Sequence, residues 1–181
     1  MTRRIVRSAV AAVLALAGLA AQAATVEVRP TADYVWTGNI VAIDVFARLE
    51  TGESLASYGM AITWQPAWLS FNSLDLDGVL GGPANSAYGL SSVMVSETAP
   101  AGTAVQGGQA EFRLFRFTLN ADAIGVSPLE FGSAQLFDAD GAPLSVVALN
   151  STLTTVPGPA TGALLASALG LAGTRLRRRR G

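Results

Sequence analysis

The side chains able to do chemistry in this chain are few: 13 carboxylates and 12 basic residues, all of them arginine, with no histidine, cysteine or lysine. Without histidine or cysteine there is no Ser-His-Asp or Cys-His nucleophile, no imidazole or thiolate metal site and no disulfide. Without lysine there is no Schiff base. What remains is carboxylate chemistry. Asp75 and Asp77, and likewise Asp138 and Asp140, are spaced two apart, so that on a strand each pair would face one side and serve as acid and base on a glycosidic bond. Each pair also precedes a glycine, Gly78 or Gly141. Asp-x-Asp-Gly sets hard oxygens on a tight bend, a calcium-type arrangement, with Asp138 and Asp140 the better candidate. An Asx-stabilised turn accounts for the same residues with no ligand.

Flat rings are the second resource. Trp36, Trp68 and Tyr88 are the candidate ligand-binding aromatics, because sugars stack on exposed rings. Plugging an end of the fold is the competing role for both tryptophans. Trp64 is in phase with Tyr58, Met60 and Ile62 and reads as core. The Gly- and Ser-rich stretch from Gly81 to Gly89 reads as a surface loop able to carry binding.

These side chains need a scaffold, and the pattern of the body is β throughout. From Ile40 to Leu49, Val41, Ile43, Val45, Ala47 and Leu49 alternate with Asp44, Arg48 and Glu50, a half-buried strand. Tyr58 to Trp64 repeats the period, and Phe112 to Leu119 sets Phe115, Phe117 and Leu119 opposite Arg113. Further runs lie at Thr25 to Arg29, Leu69 to Leu74, Leu90 to Val95, Leu129 to Phe137 and Leu144 to Leu149. Thr37-Gly38-Asn39, Gln65-Pro66, Asp77-Gly78, Gly107-Gly108 and Asp140-Gly141 punctuate them. The expectation is an all-β, antiparallel sandwich of eight or nine strands, roughly, with jelly-roll or immunoglobulin-like topology.

Both ends carry address labels. Arg3, Arg4 and Arg7, an apolar run from Ala9 to Leu19 and Ala21-Gln22-Ala23 read as a secretory signal peptide over residues 1–23. Signal peptidase would cut between Ala23 and Ala24. At the other end, Pro157-Gly158-Pro159 leads into the uncharged segment Ala160 to Thr174, followed by Arg175, Arg177, Arg178, Arg179 and Arg180. As a helix that segment is about 22 Å long, shorter than the roughly 30 Å hydrocarbon core. Counting from Val156 and letting the first arginines snorkel makes a marginal transmembrane helix. The arginines would stop it on the cytoplasmic side, leaving the body outside. Residues 24–155 then form one domain whose four arginines face all 13 acids, a net charge of −9. That surface disfavours nucleic acid and anionic lipid.

Two resemblances follow from these residues. Val156, Pro157, Gly158, Pro159, Ala160 and Thr161, the apolar run and the arginine cluster together resemble the PEP-CTERM sorting signal of Gram-negative bacteria over 156–181. Gly158 stands where that family usually has Glu. The resemblance implies processing by an exosortase-type enzyme, transient tethering in the inner membrane, and transfer to the cell surface or extracellular polysaccharide. The body is similar to cohesin-like domains: a strand ending in Trp64-Gln65-Pro66, then Trp68-Leu69-Ser70-Phe71, a Gly-rich break at Gly107-Gly108, the strand Phe112 to Leu119, and Phe137 to Gly141 before a last hairpin. Gln65 replaces the usual Asp. This implies a cohesin-like jelly roll related to carbohydrate-binding modules, with polysaccharide or a dockerin-like module as partner. The functional expectation is a non-enzymatic exported protein acting in adhesion. A structural matrix protein without a discrete ligand and a carboxylate-dependent glycosidase are the alternatives.

Overall fold

Alternation becomes packing in the strand Ile40–Arg48, where Val41, Ile43, Val45 and Ala47 are all buried. The computed structural model describes residues 23–108 and 111–159. Within them lie 13 strands: β1 Ala24–Pro30, β2 Tyr34–Trp36, β3 Ile40–Arg48, β4 Ser54–Leu55, β5 Ser57–Thr63, β6 Leu69–Leu76, β7 Ala84–Tyr88, β8 Ser92–Thr98, β9 Val105–Gln106, β10 Phe112–Ala121, β11 Gly125–Phe137, β12 Val146–Leu149 and β13 Ser151–Val156. They form a five-stranded sheet ordered β12-β1-β3-β10-β6, a six-stranded sheet ordered β2-β13-β11-β5-β8-β7 and the short pair β4-β9.

Three expectations need correcting. Both large sheets are mixed, not antiparallel, because β1 pairs with β12 and β13 with β2 in parallel. The strands outnumber the eight or nine expected, since short edge pieces such as β2 and β4 carry too few residues to show a period. The stretch Gly81 to Gly89 is not a plain loop: Ala84–Tyr88 pairs along β8 from Glu97 to Val93. The signal helix, Ala21, the transmembrane segment, Ala160, Thr161 and the five tail arginines lie outside the described residues. Among the described residues no helix is long and apolar enough to cross a membrane.

The inward faces of the two sheets build one core. Phe115 and Phe117 from β10 and Ile43 from β3 are fully buried, as are Ile62 from β5, Leu129 from β11 and Leu153 from β13. Phe117 stacks on Trp64 at 5.9 Å and Phe115 on Tyr58 at 6.3 Å, so aromatic pairs join the sheets across the interface. Arg113 does stand opposite Phe115, Phe117 and Leu119, but not through alternation, which would set residues two apart on the same side. A bulge between them shifts the register against β3, turning Arg113 outward while Leu114 and Phe115 both enter the core.

A carboxylate is built into this interior, besides the buried hydroxyls of Ser127 and Thr155. Glu97 on β8 is only 2% exposed. Its Oε1 accepts the backbone N–H groups of Leu80 (3.0 Å) and Gly81 (3.1 Å), and its Oε2 accepts the Tyr58 hydroxyl (3.2 Å). It thereby pins the 77–83 connection, which carries the chain from the five-stranded to the six-stranded sheet. Gly82 makes the same crossing tight, since a Cβ there would lie 1.7 Å from the Thr98 carbonyl oxygen. Burial first, then the neighbouring Glu97 carboxylate, push the Tyr58 phenol above its usual range.

Candidate functional site

One carboxylate of each expected pair, Asp77 and Asp138, has hydrogen-bond partners within the fold. Asp77 Oδ1 accepts Arg113 Nη2 at 2.7 Å, and Asp77 Oδ2 also accepts Arg113 Nε. Asp75 lies on β6, opposite Arg116 in register, and Asp77 just past the end of that strand. Asp138 Oδ1 accepts the N–H groups of Asp140 (2.9 Å) and Ala142 (2.8 Å), and Gly141 takes φ +80°. That is an Asx turn, with glycine where a left-handed backbone is required. No group of three or more acids converges on a metal-sized point among the described residues.

The outer face of the five-stranded sheet is an ion-pair lattice. Arg116 grips Asp44 with Nε (2.7 Å) and Nη2 (2.8 Å), and Arg113 Nη1 reaches the same carboxylate at 3.2 Å. The Arg116 hydrogen bonds dominate in holding the Asp44 carboxyl below its ordinary range, against a burial cost that raises it. Arg29 binds Glu27 and Glu111 and lies 4.6 Å over the Phe46 ring. Arg29, Arg113 and Arg116 are each matched by carboxylates.

The candidate aromatics do not gather into one platform. Trp36 lies on β2 and Tyr88 on β7, the opposite edges of the six-stranded sheet. Trp36 is 52% exposed. Trp68 is half-buried against the core and covers Gly125, where a Cβ would come within 2.4 Å of its ring, so it closes an end of the sandwich. Tyr88 is exposed, but its ring stacks on Phe71 at 4.4 Å and ties β7 to β6.

The site that sequence reasoning missed is the outer face of β7-β8-β5-β11. Register aligns Ala87, Met94, Ala61 and Ser133 in one row and Asn85, Ser96, Gly59 and Gln135 in the next. A groove of about 340 Å³ runs between them. Its floor is glycine, alanine and serine, Met94 stands 55% exposed, and the amides of Asn85 and Gln135 reach it from opposite sides. No charged residue lines it. The available signal was the partner set of the Tyr58–Trp64 alternation: Gly59 and Ala61 occupy outward positions where a solvent-facing strand ordinarily carries polar side chains.

No family model matches the sequence, and no curated protein matches it. Solved structures do. A type I cohesin–dockerin complex from Clostridium thermocellum contains a chain with TM-score 0.60 and 13% identity, covering 73% of this protein and 99% of that chain. The fold is cohesin-like. A non-cellulosomal cohesin from the archaeon Archaeoglobus fulgidus gives TM-score 0.59 at 14% identity over 74% of this chain and 91% of its own. A cohesin module of a family 33 glycoside hydrolase from Clostridium perfringens gives 0.60 at 10% identity over 76% and 99%. The cohesin-like body expected from Trp64-Gln65-Pro66 and the strands after it is thus found as a fold, and it accounts for nearly the whole length of those modules.

Proposed function

We propose that this protein is a non-enzymatic docking module, exported by its N-terminal signal and displayed through its C-terminal sorting signal, and that it binds a protein partner on the outer face of β7-β8-β5-β11. The observation that carries the reading is the uncharged groove floored by Gly59 and Ala87 and bordered by Met94, Asn85 and Gln135. A shallow apolar floor with amides at its rim suits an aliphatic anchor flanked by main-chain hydrogen bonds. The cohesin-like fold supports it, since several solved neighbours are cohesins complexed with dockerins. A dockerin-like module is therefore the class of partner to test first. The tail supports display at the envelope: processing by an exosortase-type enzyme near Pro157 to Thr161 would pass the body from the inner membrane to the cell surface or matrix.

A second reading, polysaccharide binding, rests on the exposed ring of Trp36. Secreted proteins and matrix polysaccharide of the host are passed separately over the immobilised protein and its Ala87→Arg, Met94→Arg and Trp36→Ala variants. Docking predicts a specific protein retained by wild type and Trp36→Ala and lost from both groove variants. Saturable polysaccharide retention lost only in Trp36→Ala, with no protein retained, would replace docking with the glycan reading.

A further inference from the structure

We infer that the end of the sandwich from which the tail departs is a membrane-contact surface, seated on a zwitterionic lipid bilayer through Trp36, Ile40, Leu90 and Ile124; this rests on the proposed tethering by the tail. Hydrogen bonds fix which loops share that end. Thr37 N–H donates to Val156 O (2.9 Å), Gly38 N–H to Ala121 O (2.8 Å), Asp122 N–H to Trp68 O (2.9 Å) and Trp64 N–H to Ser91 O (3.0 Å). Val156, the last strand residue, and Pro159 therefore lie among the loops that present Trp36 (52% exposed), Ile40 (57%), Leu90 (87%) and Ile124 (52%).

Charge divides the molecule along the same axis. Loops 37–40, 65–68, 89–91, 121–125 and 157–159 contain one charged residue, Asp122. Connections at the opposite end carry Glu50, Glu53, Asp77, Glu111, Asp138 and Asp140. An apolar end and an acidic end on a domain of net charge −9 orient it against a neutral surface, with the carboxylates directed away. Tryptophan among aliphatic side chains is the composition of a membrane interface.

Chain length brings the two together. Only Pro157, Gly158 and Pro159 separate β13 from the uncharged run that starts at Ala160. Four extended steps reach at most about 14 Å, while the headgroup zone on each side of the hydrocarbon is roughly 5–8 Å deep. A span of about 22 Å is also short of the hydrocarbon thickness. The mismatch is relieved by drawing Val156 to Pro159, and with them the apolar end, toward the acyl boundary.

The chain has no cysteine, so single-cysteine variants take a nitroxide label at one defined position. Full-length Ile40→Cys, Ile124→Cys and Asp140→Cys proteins are labelled and reconstituted in phosphatidylcholine vesicles, with a chain ending at Pro159 as the tether control. Expected: the full chain floats with vesicles and the Pro159 chain does not, and the labels at 40 and 124 collide several-fold less often with an aqueous nickel chelate than the label at 140. Tail-dependent flotation with equal nickel accessibility at all three positions overturns the contact surface and leaves the tether standing. Flotation unaffected by removing residues 160–181, or no flotation at all, overturns the tether and the contact surface with it.

Discussion

Replacing Glu97 tests whether a buried carboxylate holds the crossover between the sheets by geometry or merely survives there. In Glu97→Ala, the N–H groups of Leu80 and Gly81 lose their shared acceptor, while the Tyr58 hydroxyl retains the Leu114 carbonyl oxygen at 3.4 Å. Each stranded N–H costs about 1–3 kcal/mol, and the emptied volume adds to that. Relief of the buried carboxylate's desolvation offsets part of the sum, leaving a loss of about 3 kcal/mol by the same accounting. Glu97→Gln keeps an oxygen for both N–H groups and turns an amide toward Tyr58, whose hydroxyl then accepts while donating to Leu114. Its cost is the difference between a charge-assisted and a neutral bond, about 1 kcal/mol. Urea unfolding of the full chain, followed by tryptophan emission, reads the difference. At a slope near 1.5 kcal/mol/M the alanine midpoint falls by about 2 M and the glutamine midpoint by less than about 1 M. Amide exchange at Leu80 and Gly81 quickens in Glu97→Ala alone. Equal midpoints for the two variants would refute the reasoning, because charge and not acceptor geometry would then be the stabilising feature.

Asp44 titrates below its ordinary range when folded, so its contribution is complete above the unfolded value of about 3.9 and is lost as pH falls through the lower folded value. Asp44→Asn should flatten the decline of stability below about pH 4, measured as urea midpoint against pH, while costing about 2 kcal/mol at neutral pH after discounting for the solvent reach of both arginines. Tyr58 is displaced the other way. The unfolded chain loses the phenolic proton first, so stability falls above about pH 10, and Tyr58→Phe should reduce that alkaline loss. In Gly82→Ala the new methyl meets the Thr98 carbonyl, so a loss of about 3 kcal/mol should appear in thermal unfolding. A neutral outcome would mean that the crossover backbone yields without cost.

The fold was legible wherever one strand face carried a long period. Val41 to Leu49 and Tyr58 to Trp64 announce their buried sides because every second residue is apolar and the strand is long enough to repeat. β8 held the same signal for Glu97, in phase with Val93 and Val95, although a carboxylate in an inward position reads as an interruption until its donors are known. Those donors come from the 77–83 connection and from Tyr58 on β5, both beyond the reach of local periodicity. The bulge before Phe115 is invisible for a related reason. Its cause is the fit of β10 against β3 and the placing of Arg113 and Arg116 on one carboxylate, a property of two strands 69 and 72 residues apart in sequence. Parallel pairing of β1 with β12 and β13 with β2 is likewise a relation between chain ends that no single segment records. The groove was missed because Gly59 and Ala87 are uninformative alone and become a floor only when register sets them beside Ser96 and Met94.

The proposed docking face and the proposed membrane contact make different demands on orientation, and the architecture accommodates both. β13 and β2 run together toward the tail, so strands attached end-on to a bilayer stand roughly along its normal. The rows Ala87-Met94-Ala61-Ser133 and Asn85-Ser96-Gly59-Gln135 then face sideways, open to a partner moving along the surface. A domain lying flat on its six-stranded sheet would bury the groove instead. Cleavage near Pro157 to Thr161 would leave the groove unchanged but uncover Trp36, Ile40 and Ile124. On the proposed functions, tethered and released forms therefore share one docking site and differ in one apolar end. Groove variants should impair partner retention in both forms, whereas Trp36→Ala should leave partner retention intact in both and weaken the adhesion of the released form. Partner retention by the tethered form that falls in Trp36→Ala as far as in Met94→Arg would show that the two surfaces are not separate.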